Sequence, residues 1–491
     1  MANIIDRVIG FVSPQAGIAR HFARRQLQRA YEAASRRDTW RPRRAGASAN
    51  ADHQADAKAL RSKARALVQN VPYIWAGMDG LAVATVGAGI IPRATGKDKD
   101  KINELLTAWF KVCDADGRFD FFGFVKAAYM AMEQDGEVLV RKRTRSASSG
   151  MAVPLQLQLL EIDWLDSARS GTLNGNSIVN GIEYDVLGAV AAYYLWDQHP
   201  GDVAAVRGRS QSQRVSANQI IHLYNPGRPG QGRGFTRLAP VIARVRDLQL
   251  YEDAEMSRKN LEARLSVLAS GDISGAENPA SMGNAGDGQP SGHHDLGELG
   301  GGSIVGMPPG MNFTVIEPKA APGYVEYVKF QLHLIAAGIG VPYHLLTGDM
   351  SSVNFSSARV RLLDFRRSVT QMQWLTLIPK LLVPIHDAFI EHAYLAGQIK
   401  SRDKAVDFSP PKWDYVNPQQ DVQADLAEIS GGLSSFSEKL RQRGYDPEVV
   451  YTELAKDIAR LKELGILDTM LFMQRGNMPT PPAGTDPNAA A

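Results

Sequence analysis

The chain has 491 residues, 44% hydrophobic and 22% charged, with 55 Lys and Arg against 52 Asp and Glu, a net charge of +3 and one cysteine. Such a balance is that of folded proteins and excludes a disordered or fibrous chain; at roughly 150 residues each, about three compact units are expected. Cys113 alone cannot make an internal disulfide or a cysteine-built zinc cage, near-neutral charge argues against a surface that grips nucleic acid everywhere, and no apolar run reaches the ~18 residues of a membrane span.

Residues 1–12 carry Asp6 and Arg7 inside their apolar part. That is not the layout of a secretory signal, so folding in a reducing cytosol is expected. The next stretch is strongly basic: nine arginines, among them Arg24, Arg25, Arg29, Arg36, Arg37, Arg41, Arg43 and Arg44, stand against Glu32 and Asp38. Two readings fit this arm of residues 1–49, a solvated terminus or a contact with phosphate or an acidic partner. A helix is expected over 52–68, where Leu60, Ala64 and Leu67 fall at helical spacing, and Asn70 to Pro72 interrupts it.

Between Ile102 and Arg145 the pattern reads helix, helix, strand. The apolar faces are Ile102, Leu105, Leu106, Trp109, Phe110 and then Phe121 to Met132, before β-like alternation over 136–141. Short strands are expected over 155–162, 178–186, 191–196 and 220–224, so residues 113–226 read as a mixed α+β domain. The glycine-rich string 225–234, carrying Arg228 and Arg233, is either an anion-binding nest or an elbow. A long helix is expected over 238–269, with Pro240 in its first turn and one narrow apolar stripe on an otherwise charged surface.

Residues 271–302 hold ten glycines and five acids without a Lys or Arg, a composition that cannot bury a core and reads as a mobile loop. Short strands over 303–305 and 312–316 bracket Pro308-Pro309-Gly310 and fit a small β module at the tip of two helices. A return helix after Gly323 stops at Gly338 to Pro342. A small polar linker over 347–357 leads to a second long helix that Pro379 and Pro384 should kink or break. Beyond Trp413 the chain reads as wholly helical, with a capping box at Ser435 and Glu438, stops at Gly444 and Gly465, Asp446-Pro447 as a helix start, and a disordered tail after Met478.

The search for chemistry assigns no catalytic residue, metal or cofactor. Gly96-Lys97-Asp98 lacks the upstream glycine and the hydroxyl of a phosphate-binding loop, and no zinc-binding His-Glu-x-x-His helix or Gly-x-Ser-x-Gly elbow is present. His293-His294 has no third ligand, and His386 and His392 are six apart, a poor spacing for one helix face. Acid pairs such as Asp114 and Asp116, or Glu133 and Asp135, are indistinguishable from solvated carboxylates by sequence. Tyr193, Tyr194 and Trp196 fit a strand core better than a base-stacking platform.

Five strings in order carry a resemblance: Asn70 to Tyr73 through Val86 to Ile90; Asp135 to Arg141; Ile220 to Leu223 through Arg228 to Gly234; Met307 to Gly310; and Gly340 to Arg359 followed by Phe365 to Arg367. Together they resemble the portal proteins of tailed bacteriophages, the lambda-like family, with a departure at Asn417, where such sequences often place Asp before Pro. The resemblance implies an α+β portal fold: wing 50–237, first stem helix 238–269, clip 270–321, second stem helix 322–340, tunnel loop 341–356, kinked spine helix and wing return 357–417, helical crown 418–478 and disordered tail 479–491. It also implies a non-enzymatic, ring-shaped channel in the virion, at one capsid vertex, assembled in the host cytoplasm. The implied partners are double-stranded DNA without sequence specificity, the large terminase subunit, the major capsid protein and a head-tail connector protein, with no membrane.

Twelve copies, the number the resemblance implies, are sterically sensible. With neighbouring helices about 10 Å apart, twelve inner stem helices describe a circle about 38 Å across between axes. Subtracting a helix diameter of about 10 Å leaves about 28 Å, whereas six helices leave about 9 Å. Only the larger opening passes a duplex roughly 20 Å wide. A conduit must also let DNA slide, and a densely basic wall would hold it. Weak contact is therefore expected along Thr347, Asp349, Met350, Ser351, Ser352, Asn354 and Ser356, with Lys329 as a local cation. Two rival readings stand beside this one, a Mg²⁺-dependent nucleic-acid-processing enzyme using carboxylates such as Glu133 or Asp135, and a capsid scaffold without a channel.

Overall fold

The computed structural model describes residues 46–202, 211–263, 267–271, 311–315, 323–351, 355–413, 418–443, 445 and 447–467. In chain order the elements are α1 (Ala49–Asn70), α2 (Pro72–Val86), β1 (Ile91–Ala94), α3 (Lys99–Trp109), α4 (Phe121–Asp135), β2 (Glu137–Thr144), β3 (Leu155–Glu161), β4 (Gly171–Leu173), β5 (Asn176–Val179), β6 (Ile182–Tyr184), β7 (Val190–Leu195), β8 (Gln213–Ser216) and β9 (Ile220–Tyr224). They continue with α5 (Ile242–Ala263), β10 (Val267–Gly271), β11 (Met311–Val315), α6 (Tyr324–Ile339), α7 (Tyr343–Thr347), α8 (Phe355–Met372), a π-helical segment (Gln373–Leu382), α9 (Val383–Leu395), β12 (Val406–Ser409), α10 (Pro418–Ser430), α11 (Phe436–Gln442) and α12 (Pro447–Glu463). The fold is thus a mixture of helix and small sheets. No described helix is long and apolar enough to cross a membrane.

Two compact units emerge. One gathers the described residues of Met1–Ala59, Asp163–Ser216 and Pro226–Phe235 around an antiparallel sheet in the order β4-β5-β6-β7-β8. Residues 178–186, expected as one strand, are two strands. Asn180 and Gly181 have φ of +52° and +84°, the paired left-handed geometry that a two-residue hairpin turn requires. Asn174-Gly175, with φ of +50° and +84°, makes the same turn between β4 and β5. Tyr193 and Tyr194 are both buried, as a strand core demands. Arg233, 1% exposed, donates to the Asn180 carbonyl at 2.9 Å and to Ser167 Oγ at 3.2 Å. Arg228 pairs with Asp52 at 3.0 Å and bonds the Ala47 carbonyl. Both cations of the glycine-rich loop are therefore bound within the chain, which favours the elbow over the anion nest.

The other unit holds Leu60–Ile162, Ala217–Asn225 and the described residues from Thr236 onward. Its sheet runs β3-β2-β9. One apolar core joins α2, α3, α4, this sheet, the start of α5, the end of α6 and α8 to α9. Helix α4 starts where the Asp120 carboxylate accepts the Gly123 N–H at 2.8 Å and ends at Gly136, φ +94°, as a good N-cap and a left-handed C-cap dictate.

Three expectations are corrected here. The helix placed over 238–269 occupies only Ile242–Ala263, Pro240 sits in the preceding turn, and Val267–Gly271 is a strand that pairs antiparallel with Met311–Val315. Val267 and Leu268 fit the helical period equally well, and strand pairing wins once β11 is available to share the backbone hydrogen bonds. The long helix does not break at Pro379. It widens into a π-helix over Gln373–Leu382, which relieves the clash of the proline ring with the preceding turn, and Pro384 lies in the first turn of α9. The tunnel loop placed over 341–356 contains the short helix α7. The arm through residue 45, the strand at 303–305, the loop 272–302 with His293-His294, Pro308 to Gly310, Asn417, Gly444, Asp446 and the tail lie outside the described residues.

Candidate functional site

Helix α6 and the segment after it carry the residues expected to meet DNA. Gly323 and Gly340 adopt left-handed backbone at the two ends of the helix, φ +85° and +83°. Gln331, Ile335, Ala336 and Ile339 are its buried residues, so helical spacing fixes the opposite face outward. At its C-terminus Arg237 donates to the Ile339 carbonyl and pairs with Glu133 Oε2 at 3.1 Å, tying the helix end to α4. A Cβ on Gly338 would stand 2.3 Å from Val241 Cγ1, so glycine permits the close approach of α6 to the turn that precedes α5.

After Pro342, α7 closes at Gly348, φ +73°, whose N–H donates to the His344 carbonyl at 2.9 Å. Asp349 then organises the loop. Its Oδ1 accepts the Ser351 N–H at 2.9 Å, while Oδ2 accepts from the Tyr343 hydroxyl at 3.4 Å and lies 3.5 Å from Lys329 Nζ. The Thr347 hydroxyl donates to the Tyr343 carbonyl at 3.0 Å and accepts the Asp349 N–H at 3.2 Å. Hydrogen bonds from Ser351, with help from the Lys329 charge, hold the Asp349 carboxyl at about 2. The Tyr343 ring stacks on His333 with centroids 4.0 Å apart. Beside that stack a cleft of about 320 Å³ opens toward Arg361, Asp364 and Ser368 of α8.

Lys329, Thr347, Asp349 and Ser351 are thus brought into one connected network. Met350 is 57% exposed. Ser352 and Asn354 lie outside the described residues, and Ser356 falls within α8. The arginines 24, 25, 29, 36, 37, 41, 43 and 44 also lie outside them. Tyr343 and His333, which hold the loop against the helix, were not singled out by sequence. An aromatic residue in the Gly340 to His344 string was the available signal, but its partner lies ten residues away on another helix.

The acids that a metal-dependent enzyme would need have structural partners. Asp135 takes a bidentate bond from Arg65, Glu133 pairs with Arg237, and Asp114 accepts the backbone N–H groups of Asp116, Arg118 and Phe119. Near the suspected histidine pair, Asp387 pairs with Lys404 and Glu391 with Arg402, while His392 bonds the Thr144 hydroxyl and the Ala388 carbonyl. The Cys113 thiol is buried, and burial pushes its pKa up to about 12, which leaves it unreactive.

Comparison with known proteins gives the family. The sequence profile described as "Phage portal protein, lambda family" matches residues 34–373. A "Probable portal protein" of Halomonas phage phiHAP-1 is 30% identical over 393 residues, covering 76% of this chain and 74% of that one. A "Portal protein" of Escherichia phage N15 is 20% identical over 320 residues, covering 58% of this chain and 59% of that one. Among solved structures, a chain from the "Neck of native GTA particle computed with C12 symmetry" aligns with a TM-score of 0.46 and 16% identity over 84% of this chain and 97% of that one. The chain belongs to the lambda family of phage portal proteins. Its work is therefore that of a structural, non-enzymatic portal in DNA packaging.

Proposed function

We propose that twelve copies close into a ring at one vertex of the capsid, through which double-stranded DNA enters during packaging and leaves during ejection. In this reading the wing comprises residues 50–237 and meets the major capsid protein. The stem pairs 238–269 with 322–340. The clip, 270–321, docks the large terminase subunit and later a head-tail connector protein. Residues 341–356 face the channel, 357–417 form the spine and wing return, and 418–478 the crown. Energy for DNA movement comes from the terminase, and assembly takes place in the host cytoplasm.

The observation that carries the reading is the family match across residues 34–373. Exposed apolar side chains on the proposed stem and spine support self-association: Leu250 60%, Met256 63%, Phe330 59%, Val360 60% and Leu375 63% exposed. A chain that stayed alone in water would leave this surface uncovered at a cost of ~25 cal/mol per Å². At the channel wall Lys329 is paired with Asp349, so that each subunit offers DNA a compensated charge rather than a free cation, as sliding requires.

Native mass measurement with end-on imaging tests the proposal. Rings of twelve with a central opening of about 28 Å are expected from packing helices about 10 Å apart. A lone monomer at high concentration, or a solid cluster without a hole, would overturn it.

A further inference from the structure

Helices α5 and α6 each carry a second stripe that their own chain leaves uncovered. On α6, Tyr327, Phe330, Leu334 and Ala337 recur at the 3-4-3 spacing of a coiled-coil seam, opposite the buried Gln331, Ile335 and Ile339. All four are exposed, Tyr327 by 45%, Phe330 by 59% and Leu334 by 37%. On α5, Ala243, Asp247, Leu250, Ala254 and Ser257 recur at 4-3-4-3 spacing opposite the buried Val245, Leu248 and Glu255, and all five are exposed. The first stripe is made of large side chains and the second mostly of small ones. Large residues on one helix and small ones on its antiparallel mate are what knobs and holes need.

We infer that the α6 stripe of one subunit docks on the α5 stripe of the next copy of this same chain. The inference rests on the ring reading above and names the surface that would close it. The level of the residues along the helices supports the occupant. Within the chain, Gly338 lies against Val241, Arg244 bonds Gln331, and Tyr251 packs on Tyr327 with ring centroids 4.9 Å apart. A copy related by rotation about an axis parallel to the helices keeps these levels. Leu334 then faces Ala243, Phe330 faces Asp247 and Tyr327 faces Leu250, each a member of its stripe.

Charge agrees with the pairing. On a helical wheel of about 100° per residue, exposed Glu326 and exposed Arg246 flank the two stripes on the same side when the helices are set antiparallel. Glu326 has no ion pair among the described residues, and Arg246 reaches only the exposed Asp247 beside it. Because the two stripes differ, the contact is heterologous: each subunit uses one face for each neighbour. That arrangement closes a ring and cannot stop at a two-fold dimer.

The test uses the full chain, whose only native thiol, Cys113, is buried. Oxidation of an Ala243→Cys/Leu334→Cys double variant should give a ladder of covalent multimers on a non-reducing gel, and each single variant should run as a monomer band. Phe330→Asp, placed on an exposed site, should leave the thermal unfolding of the monomer unchanged while reducing ring yield at least tenfold. Wild-type rings with no ladder from the double variant and normal ring yield from Phe330→Asp would overturn the seam and leave the ring reading standing. Wild-type protein that stays monomeric would overturn both.

Discussion

His386 makes the stability of this protein depend on pH in a defined window. Its side chain on α9 is 2% exposed, and neither ring nitrogen finds a hydrogen-bond partner among the described residues. Burial, opposed by Asp387 and aided by Lys404, lowers its pKa from 6.5 to about 4. The folded protein therefore resists a proton that the unfolded chain accepts. The contribution of the neutral ring is fully present above pH 6.5 and is lost as pH falls toward 4. At about 1.36 kcal/mol for each pH unit in that window, about 2 kcal/mol is gone by pH 5 and about 3 kcal/mol by pH 4. Asp349 and Glu183, both held at about 2, contribute constantly across pH 7.5 to 5, because each loses its stabilisation only below its unfolded value near 4. Burial and Arg361 also lower the pKa of His344, so the informative quantity is the difference between wild type and a His386→Leu variant, which keeps the volume and removes the titration. Urea unfolding at pH 7.5 and pH 5 should show the variant losing about 2 kcal/mol less than wild type. Equal losses in the two proteins would refute the reasoning.

Arg237→Ala leaves Glu133, 5% exposed, buried without its cation, and should cost about 3–5 kcal/mol in urea unfolding; Glu133→Gln, which keeps a polar group without the charge, should cost clearly less. Gly338→Leu drives a side chain into Val241 and should destabilise by about 1–3 kcal/mol, read as a lowered urea midpoint with an unchanged slope. Asp349→Ala releases Lys329 from its ion pair. For the assembled ring, duplex binding should tighten at low salt, and the log–log salt slope should steepen by about 0.9 for each newly freed cation that contacts a phosphate.

Much of the fold was legible because burial follows period. The apolar residues of α3 and α4 fall at helical spacing and form the observed core, and the strand read over 220–224 is β9 with the same bounds. Where the reading failed, a local signal was outvoted by a longer pattern. Asn180-Gly181 is a turn dipeptide, yet the apolar residues on either side made one strand of it. Val267 and Leu268 continue the helical period of α5, and only β11, on the far side of residues 272–310, turns them into a strand. Spacing cannot anticipate a partner that distant. Pro379 was rightly flagged, but whether a helix breaks or widens depends on whether the surrounding core can hold the wider turn, here with Leu377, Ile378 and Leu381 buried beside it.

The candidate site was legible to a different depth. Polar residues after Gly340 marked a loop, and Lys329 stood out as a cation, but that Asp349 joins them depends on α7 turning the chain back toward α6. The stripes on α5 and α6 obey the same logic. Tyr327, Phe330, Leu334 and Ala337 are present in the sequence at seam spacing, mixed with Val328, Leu332, Ile335 and Ile339. A helix apolar on most of its surface gives no indication of which stripe faces its own chain. That becomes readable only when Ile335, Ala336 and Ile339 are known to fill the core, because the remaining apolar surface then has no partner within the chain. An apolar face that the chain does not cover costs free energy in water, and its recurrence at level positions on two antiparallel helices is the mark of a surface selected to meet its own copy.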